Sequence, residues 1–425
     1  MKRAPYIALA LLAAASVLVS LAPDKSGNRK SVIAQFSPNL CIPGNLKNQI
    51  NVVGDGISAI GVIEGKLKEI TFKKGLQSIT WQGNGWLEVS DASAEPIMIA
   101  DSPGLAMAKC SSLTETSWFV GGATDVSSQD QLLLANDGLS AATVEVSTWS
   151  ALGAVKPTPV VIPPRKQQVI RLDNFLTGSK AVAVRIKPVI GRAAAMLFSS
   201  RISGLKKLGS DFISAGSIPS NRIYIPIAPA QKQVSGRILQ VLNPNSQDAV
   251  LKIEILAPDG RFTPIGLDET LVPANSLRAF DLTKSLPTGV NSIRIESEQA
   301  ITASLLIGGA DYAWSPAAPI INEPVDFLMP PKSALTMISE EDGNEVALTA
   351  DGKSAGKFEL NDGISFTWIN KKEQWVKVQL VPAGPVHASI WKGVGSKTGT
   401  AVLAVSPRVR IGSGSTPEYA LSVAR

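Results

Sequence analysis

The sequence predicts an all-β chain: tandem immunoglobulin-like antiparallel β-sandwich modules behind one N-terminal transmembrane helix. Three observations carry that expectation. Apolar and polar residues alternate with a period of two: Val144 and Val146 flank Glu145, Val182, Val184 and Ile186 enclose Ala183 and Arg185, and Leu251, Ile253 and Ile255 enclose Lys252 and Glu254. Turn chemistry separates such runs at Asn136-Asp137-Gly138, Asn243-Pro244-Asn245 and Pro258-Asp259-Gly260. Asn, Asp and Gly tolerate positive φ there, and Pro presets the first turn position. The third observation is a repeat: residues 131–149, 161–173 and 180–198 find counterparts in 237–256, 271–281 and 291–307. In it Asn136 matches Asn243, Asp173 matches Asp281, Arg185 matches Arg294 and Ala194 matches Ala303.

A chain of 425 residues is too long for one core and fits three or four modules of about 100 residues. With 44% hydrophobic, 18% charged and 5% aromatic residues it is neither disordered nor polytopic in a membrane. Its 35 glycines and 28 prolines are spread at turn-like spacing, which favours many short strands over long helices.

Taken in order, the first element is Ala4 to Ala22, an uncharged apolar run of membrane length preceded by Lys2 and Arg3. It reads as a signal anchor over residues 1–23, with a cleaved signal peptide as the alternative. Pro23 disfavours cleavage directly after the run, and the small-residue site at Val32-Ile33-Ala34 lies beyond a charged stretch. Either way the positive-inside bias places the rest of the chain outside the cytoplasm, anchored or secreted. No lipobox precedes Cys41, and the Leu286 to Gly289 string, though similar to a wall-sorting signal, reads as a turn.

A linker over 24–40 leads to a first module, A1, over 41–115. Its two cysteines, Cys41 and Cys110, are expected to form a disulfide in an oxidising compartment; two buried thiols are the alternative. The repeated pair follows as B1 over 116–217 and B2 over 218–310. A Pro-rich connector is expected over 311–345, then a last module, A2, over 346–425. A2 echoes A1: Ser78-Ile79-Thr80-Trp81, a polar turn, Trp86 and Pro96 correspond to Ser365-Phe366-Thr367-Trp368, a turn, Trp375 and Pro385. The order is therefore A, B, B, A.

Charge narrows the partners. Without Lys2 and Arg3 the chain carries 39 basic and 35 acidic residues, a mild excess of four. Small clusters at 66–74, 201–207 and 408–410 suit anionic wall polymers or lipid headgroups at low salt, but no basic face with interleaved aromatics speaks for nucleic acid.

No catalytic constellation emerges. Gly352-Lys353-Ser354-Ala355-Gly356 fits the nucleophile-elbow string but is followed by a strand pattern, so it reads as a hairpin turn. The lone histidine, His387, sits where Thr302 and Met98 sit in related modules, a framework position. One histidine and two pairing cysteines leave no zinc set, Glu340 to Asn344 reads as a solvated turn, and Gly393, Gly395 and Gly399 lack a helix to hold phosphate. Asp173 and Asp281 recur, which marks turn or capping acids more than paired catalytic carboxylates. No cofactor and no metal are expected.

The aromatic pairs Trp81 with Trp86 and Trp368 with Trp375 are the candidate binding residues. Standing across hairpins, exposed rings would stack sugars; packed rings would serve only their own sheet.

The two copies, the stretch from Cys110 to Trp118-Phe119-Val120-Gly121-Gly122 and the Leu242-Asn243-Pro244 turn resemble an actinobacterial family of exported, membrane-anchored proteins catalogued as a domain of unknown function. The first copy departs from it in having Asn136-Asp137 in place of Asn-Pro. The resemblance implies location and fold, and no activity. The expectation is a non-enzymatic, envelope-anchored interaction or scaffold protein whose partner is an envelope polymer or protein. A carbohydrate-binding array using the Trp hairpins is the alternative, and a glycan hydrolase a more distant one.

Overall fold

The computed structural model describes residues 37–408 apart from 45, 55–57, 64–65, 91, 101–103, 114–115, 231–235, 310 and 394–398. The expected anchor over 4–22 lies outside the described residues. Among those described, no helix is long and apolar enough to cross a membrane.

The all-β expectation holds. A1 contains β1 (Asn39–Cys41), β2 (Asn48–Gly54), β3 (Ser58–Ile63), β4 (Lys66–Thr71), β5 (Gly75–Trp81), β6 (Gly85–Val89), β7 (Ile97–Ala100), β8 (Ala106–Lys109) and the short β9 (Ser111–Ser112). B1 contains β10 (Ser117–Val120), β11 (Gln131–Ala135), β12 (Ala142–Ser150), β13 (Gly153–Ile162), β14 (Gln167–Arg171), β15 (Ala183–Ile190), β16 (Ala194–Ser203) and β17 (Lys206–Ile213). B2 contains β18 (Ser220–Ala230), β19 (Gly236–Asn243), β20 (Ala249–Ala257), β21 (Gly260–Phe262), β22 (Thr270–Val272), β23 (Ser276–Asp281), β24 (Gly289–Gly308) and β25 (Tyr312–Pro316). A2 contains β26 (Val325–Met329), β27 (Ser333–Ser339), β28 (Asn344–Ala350), β29 (Lys353–Leu360), β30 (Phe366–Asn370), β31 (Val376–Pro382), β32 (Val386–Gly393) and β33 (Thr400–Ala404).

All four modules share one topology. The first sheet of B1 runs β10-β15-β12-β13 and the second β14-β11-β16-β17; A2 repeats this as β26-β31-β28-β29 and β30-β27-β32-β33, and A1 as β1-β6-β3-β4 and β5-β2-β7-β8. In B2 the long β24 serves both sheets. Ile293 and Ile295 pair with β18 and β20, while Thr302 to Gly308 pair with β19 and β25. B1 makes the same passage from first to second sheet through Gly191-Arg192-Ala193, between β15 and β16.

Two expectations are corrected. The modules are antiparallel sandwiches, but their strand order is not that of an immunoglobulin domain, where the first strand joins the sheet of the second. Here β10 lies beside β15 in one sheet and β11 in the other. The connector over 311–345 is also not a connector: β25 completes B2, and β26 and β27 open A2, because residues 312–316, 325–329 and 333–339 are apolar enough to be buried in sheets.

The two sheets of each module differ in burial. First-sheet strands alternate, as in β20 and β28, with one face wet. Second-sheet strands such as β11, β25 and β27 are buried almost throughout, the pattern of a sheet covered on both faces. The covering is cyclic. Leu133 and Met196 on the second sheet of B1 join the core of A1. Leu105 and Met107 of A1 join the core of A2. Val402 and Trp391 of A2 pack into B2, and Trp314 and Tyr312 of B2 pack into B1. Each module thus lends the back of its second sheet to a neighbour, a head-to-tail contact that closes after four steps into a ring.

Candidate functional site

The Trp pairs do not stand across hairpins. Trp81 ends β5 in the second sheet and Trp86 opens β6 in the first, so the turn between them crosses from sheet to sheet. A crossover at the sandwich end turns both rings inward: Trp86 is fully buried and Trp81 is 4% exposed. This removes the sugar-stacking role expected of that pair. Trp368, on β30, and Trp375, just before β31, occupy the same place in A2 and pack half-buried against its core.

The matched residues of B1 and B2 make matched contacts. Asn136 Nδ2 donates to the carbonyls of Ser140 and Ile162 at 2.8 and 3.0 Å, and Asn243 Nδ2 to those of Gln247 and Val272 at 2.7 and 3.2 Å. Both side-chain oxygens accept the amide two residues on, a local turn that a buried asparagine stabilises. Asp173 accepts from Arg171, and Asp281 from the Thr283 amide at 2.8 Å, as turn acids. Arg185 pairs with Glu145 at 2.8 Å, its guanidinium lying over Trp118 and Trp149. Arg294 pairs with Glu254 in the same way and reaches Asp362 of A2 at 2.8 Å. The repeated arginine thus ties the strands of its own module in both copies, and in B2 it also joins that module to A2.

The last strands of the four modules, β8, β17, β25 and β33, meet at the middle of the ring. The Asp311 carboxylate lies where they begin. Its Oδ2 accepts the amides of Leu105 at 2.9 Å and Thr400 at 3.2 Å, and the amides of Ser210 and Tyr312 also act on it. One carboxylate of B2 thus holds backbone N–H groups of A1 and A2, and feels the amide of Ser210 in B1 as well. Close approach requires glycine: a Cβ on Gly104, Gly209 or Gly399, one in each of the other three modules, would overlap the Asp311 side chain. Asp211, two residues after Gly209, ties three modules. Its Oδ1 accepts the amides of Met107 at 3.3 Å and Phe212 at 2.9 Å, and its Oδ2 that of Trp314 at 3.1 Å. Burial pushes both carboxyls above the usual range, and the Asp311 charge adds to the effect on Asp211.

Where the same four strands end, a cavity of about 740 Å³ opens on the axis. Lys109, Ile213, Ala318 and Ser406 line it, one from each strand end, and so do the first and last described residues, Ser37 and Arg408. Four strands that start at Asp311 and end at one cavity run the same way along a common axis. His387 closes one wall. It stacks on Tyr224 at 4.4 Å, with Nδ1 2.8 Å from the Ala318 carbonyl oxygen and Nε2 2.8 Å from Glu340 Oε1. The His387 contact holds the Glu340 carboxyl below its usual range against the opposing effect of burial. Also among the lining residues, Lys109 contacts Ser406 and lies 3.8 Å from Glu95, while Arg222, near Glu340, has its Nε 2.9 Å from Glu296.

Sequence reasoning placed His387 on a framework strand, and it is on one: it faces Ile338 across β27–β32 as Thr302 faces Leu242 and Met98 faces Ile50. The cavity was missed because its lining comes from the ends of strands distant in sequence. The one signal was a glycine at the start of the last strand or within it in three modules, Gly104 before β8, Gly209 in β17 and Gly399 before β33, with Asp311 in the fourth. Gly352 lies in a two-residue turn after Asp351, both at positive φ, joining β28 to β29, so Ser354 is a strand residue. The segment from Glu340 to Asn344 is the turn before β28, where Asp342 accepts the Asp362 amide. Gly395 and its neighbours lie outside the described residues. Among the described residues no three His, Cys, Asp or Glu side chains gather to hold a metal. The expected disulfide joins Cys41 to Cys110.

No curated protein matches the sequence. Among solved structures it is similar to one described as "Crystal Structure of Streptomyces avermitilis alpha-L-rhamnosidase complexed with L-rhamnose", at 10% identity and a TM-score of 0.14. The match covers 89% of this chain and 55% of that one, so the chain spans about half the other's length, and at that score it carries no argument. Residues 92–361, from the end of A1 through B1 and B2 into A2, match the model of a family of unknown function (DUF5719), and the chain belongs to that family.

Proposed function

We propose that this protein is a non-enzymatic interaction or scaffold body of the cell envelope, held outside the membrane by the apolar segment at residues 4–22 or released after its cleavage. The observation that carries the reading is ring closure. The inner strands of each second sheet are covered on both faces, so the four modules form one compact body whose free surfaces are the first sheets, the outer strands of the second sheets and the axial cavity. A compact body with outward-facing β-sheets suits docking and display more than chemistry. The N-terminal charge pattern supports location: Lys2 and Arg3 precede the apolar run and no acid does. The partner is an envelope polymer or an envelope protein.

The test is topology in intact cells. With the full chain expressed, protease added outside spheroplasts should digest the ring or its tether while cytosolic markers survive, and carbonate washing should leave an uncleaved form in the membrane. A chain protected until the membrane is lysed overturns the reading. Release of reducing ends from wall material by purified protein would overturn the non-enzymatic part.

A further inference from the structure

We propose that the axial cavity is a binding site for a small acidic saccharide, one or two rings carrying a carboxylate. This deepens the interaction reading above and rests on it only for where the ligand is met. The volume, about 740 Å³, is in the range that encloses a ligand of that size.

The lining is chemically specific. Eight serines and one threonine, drawn from all four modules, face the space. Hydroxyls both donate and accept, which is what a polyol requires of its partners. Three of them, on Ser112, Ser214 and Ser217, are buried with no hydrogen-bond partner, and Ser214 is only 6% exposed. A buried hydroxyl with nothing to bond is costly unless a ligand or solvent satisfies it. Apolar side chains such as Ile218 and Ile320 supply exposed surface for the C–H face of a ring.

Charge selects the acid. Lys109, Arg222 and Arg408 stand on walls contributed by three different modules. The two acids among the lining residues are already engaged, Glu95 near Lys109 and Glu340 with His387. Arg222 is half exposed; its Nε already pairs with Glu296 at 2.9 Å, and its planar guanidinium fork is the side chain best shaped to take a second carboxylate. Outside the cytoplasm such a ligand is an acidic wall or surface sugar.

The test is calorimetric titration of the full chain in detergent micelles with cellobiouronate and with cellobiose, its neutral counterpart. Cellobiouronate should bind one to one and at least tenfold more tightly than cellobiose. Arg222→Gln, at an exposed position, should abolish that preference without lowering Tm, and Ser214→Val should weaken both sugars about tenfold. Absence of saturable binding to the folded chain overturns the proposal. Binding untouched by both substitutions overturns it too, as does displacement of the sugar by synthetic peptides spanning 24–36 or 409–425, which would make the cavity a seat for the chain's own tails. Failure here leaves the envelope location standing, and a cytoplasmic location would leave the binding standing.

Discussion

The carboxylate of Asp311 accepts the backbone amide of Leu105 at 2.9 Å across 206 residues of sequence. The first module and the third are thereby tied at the same atom that holds Thr400 of the fourth. Removing the acceptor strands the buried N–H groups of Leu105 and Thr400, in two other modules, at once. At about 1–3 kcal/mol for each buried group left without a partner, Asp311→Ala should cost at least about 2 kcal/mol. Asp311→Asn, which keeps one acceptor oxygen, should cost about half as much. Urea unfolding of the two variants checks the order; equal and small losses would mean the carboxylate is incidental.

The pH dependence follows from buried acids whose folded pKa values are raised. Burial, with the Asp137 charge second, pushes Glu88 up to about 7, and burial pushes Asp130 up to about 6. An acid raised in the folded state stabilises fully below its unfolded pKa, near 4, and loses that contribution as pH rises through the folded value. Tm should therefore fall between about pH 4 and 7. For Glu88→Gln the fall should shrink by up to about 3 kcal/mol of stability, since each pKa unit is worth about 1.4 kcal/mol. A pH profile identical to that of the parent chain would contradict the assignment.

The two matched arginines should behave differently. Arg294 is almost fully buried between Glu254 and Asp362, so Arg294→Ala leaves two carboxylates facing each other and should cost about 3–5 kcal/mol. Arg185, more exposed, should cost about 1–2 kcal/mol through its Glu145 and Trp contacts. A double-mutant cycle of Arg294→Ala with Asp362→Ala should show coupling above about 0.5 kcal/mol, and its absence would mean B2 and A2 are not joined there.

Reduction of the Cys41–Cys110 bridge, which spans 69 residues, should lower stability by roughly 4 kcal/mol in the chain-entropy model. Denaturant midpoints with and without reductant give the comparison. An unchanged midpoint would show that ring contacts alone hold A1.

Much of the fold was legible because it is written in local patterns. Alternation in Leu251, Ile253 and Ile255 marks a half-wet strand, and Asn136 and Asn243 mark the same turn twice. The continuous apolar runs of β11 and β16 were visible too, but a strand covered on both faces and an ordinary strand with small residues read alike until the neighbour is known. The Trp pairs misled for a related reason: an aromatic, a short polar turn and a second aromatic fit a hairpin as well as a crossover between sheets. Asp311 was illegible because its partners are backbone amides, which any residue supplies. Only the glycines at 104, 209 and 399 betray how close the carboxyl comes.

Small-angle scattering of residues 37–408 tests ring closure most directly. A compact body of that length has a radius of gyration of about 21 Å, and a ring with an axial cavity should lie within a few ångströms of it. Four modules strung end to end would give about twice that value, and such a result would contradict the closed ring and the shared carboxylate at its centre.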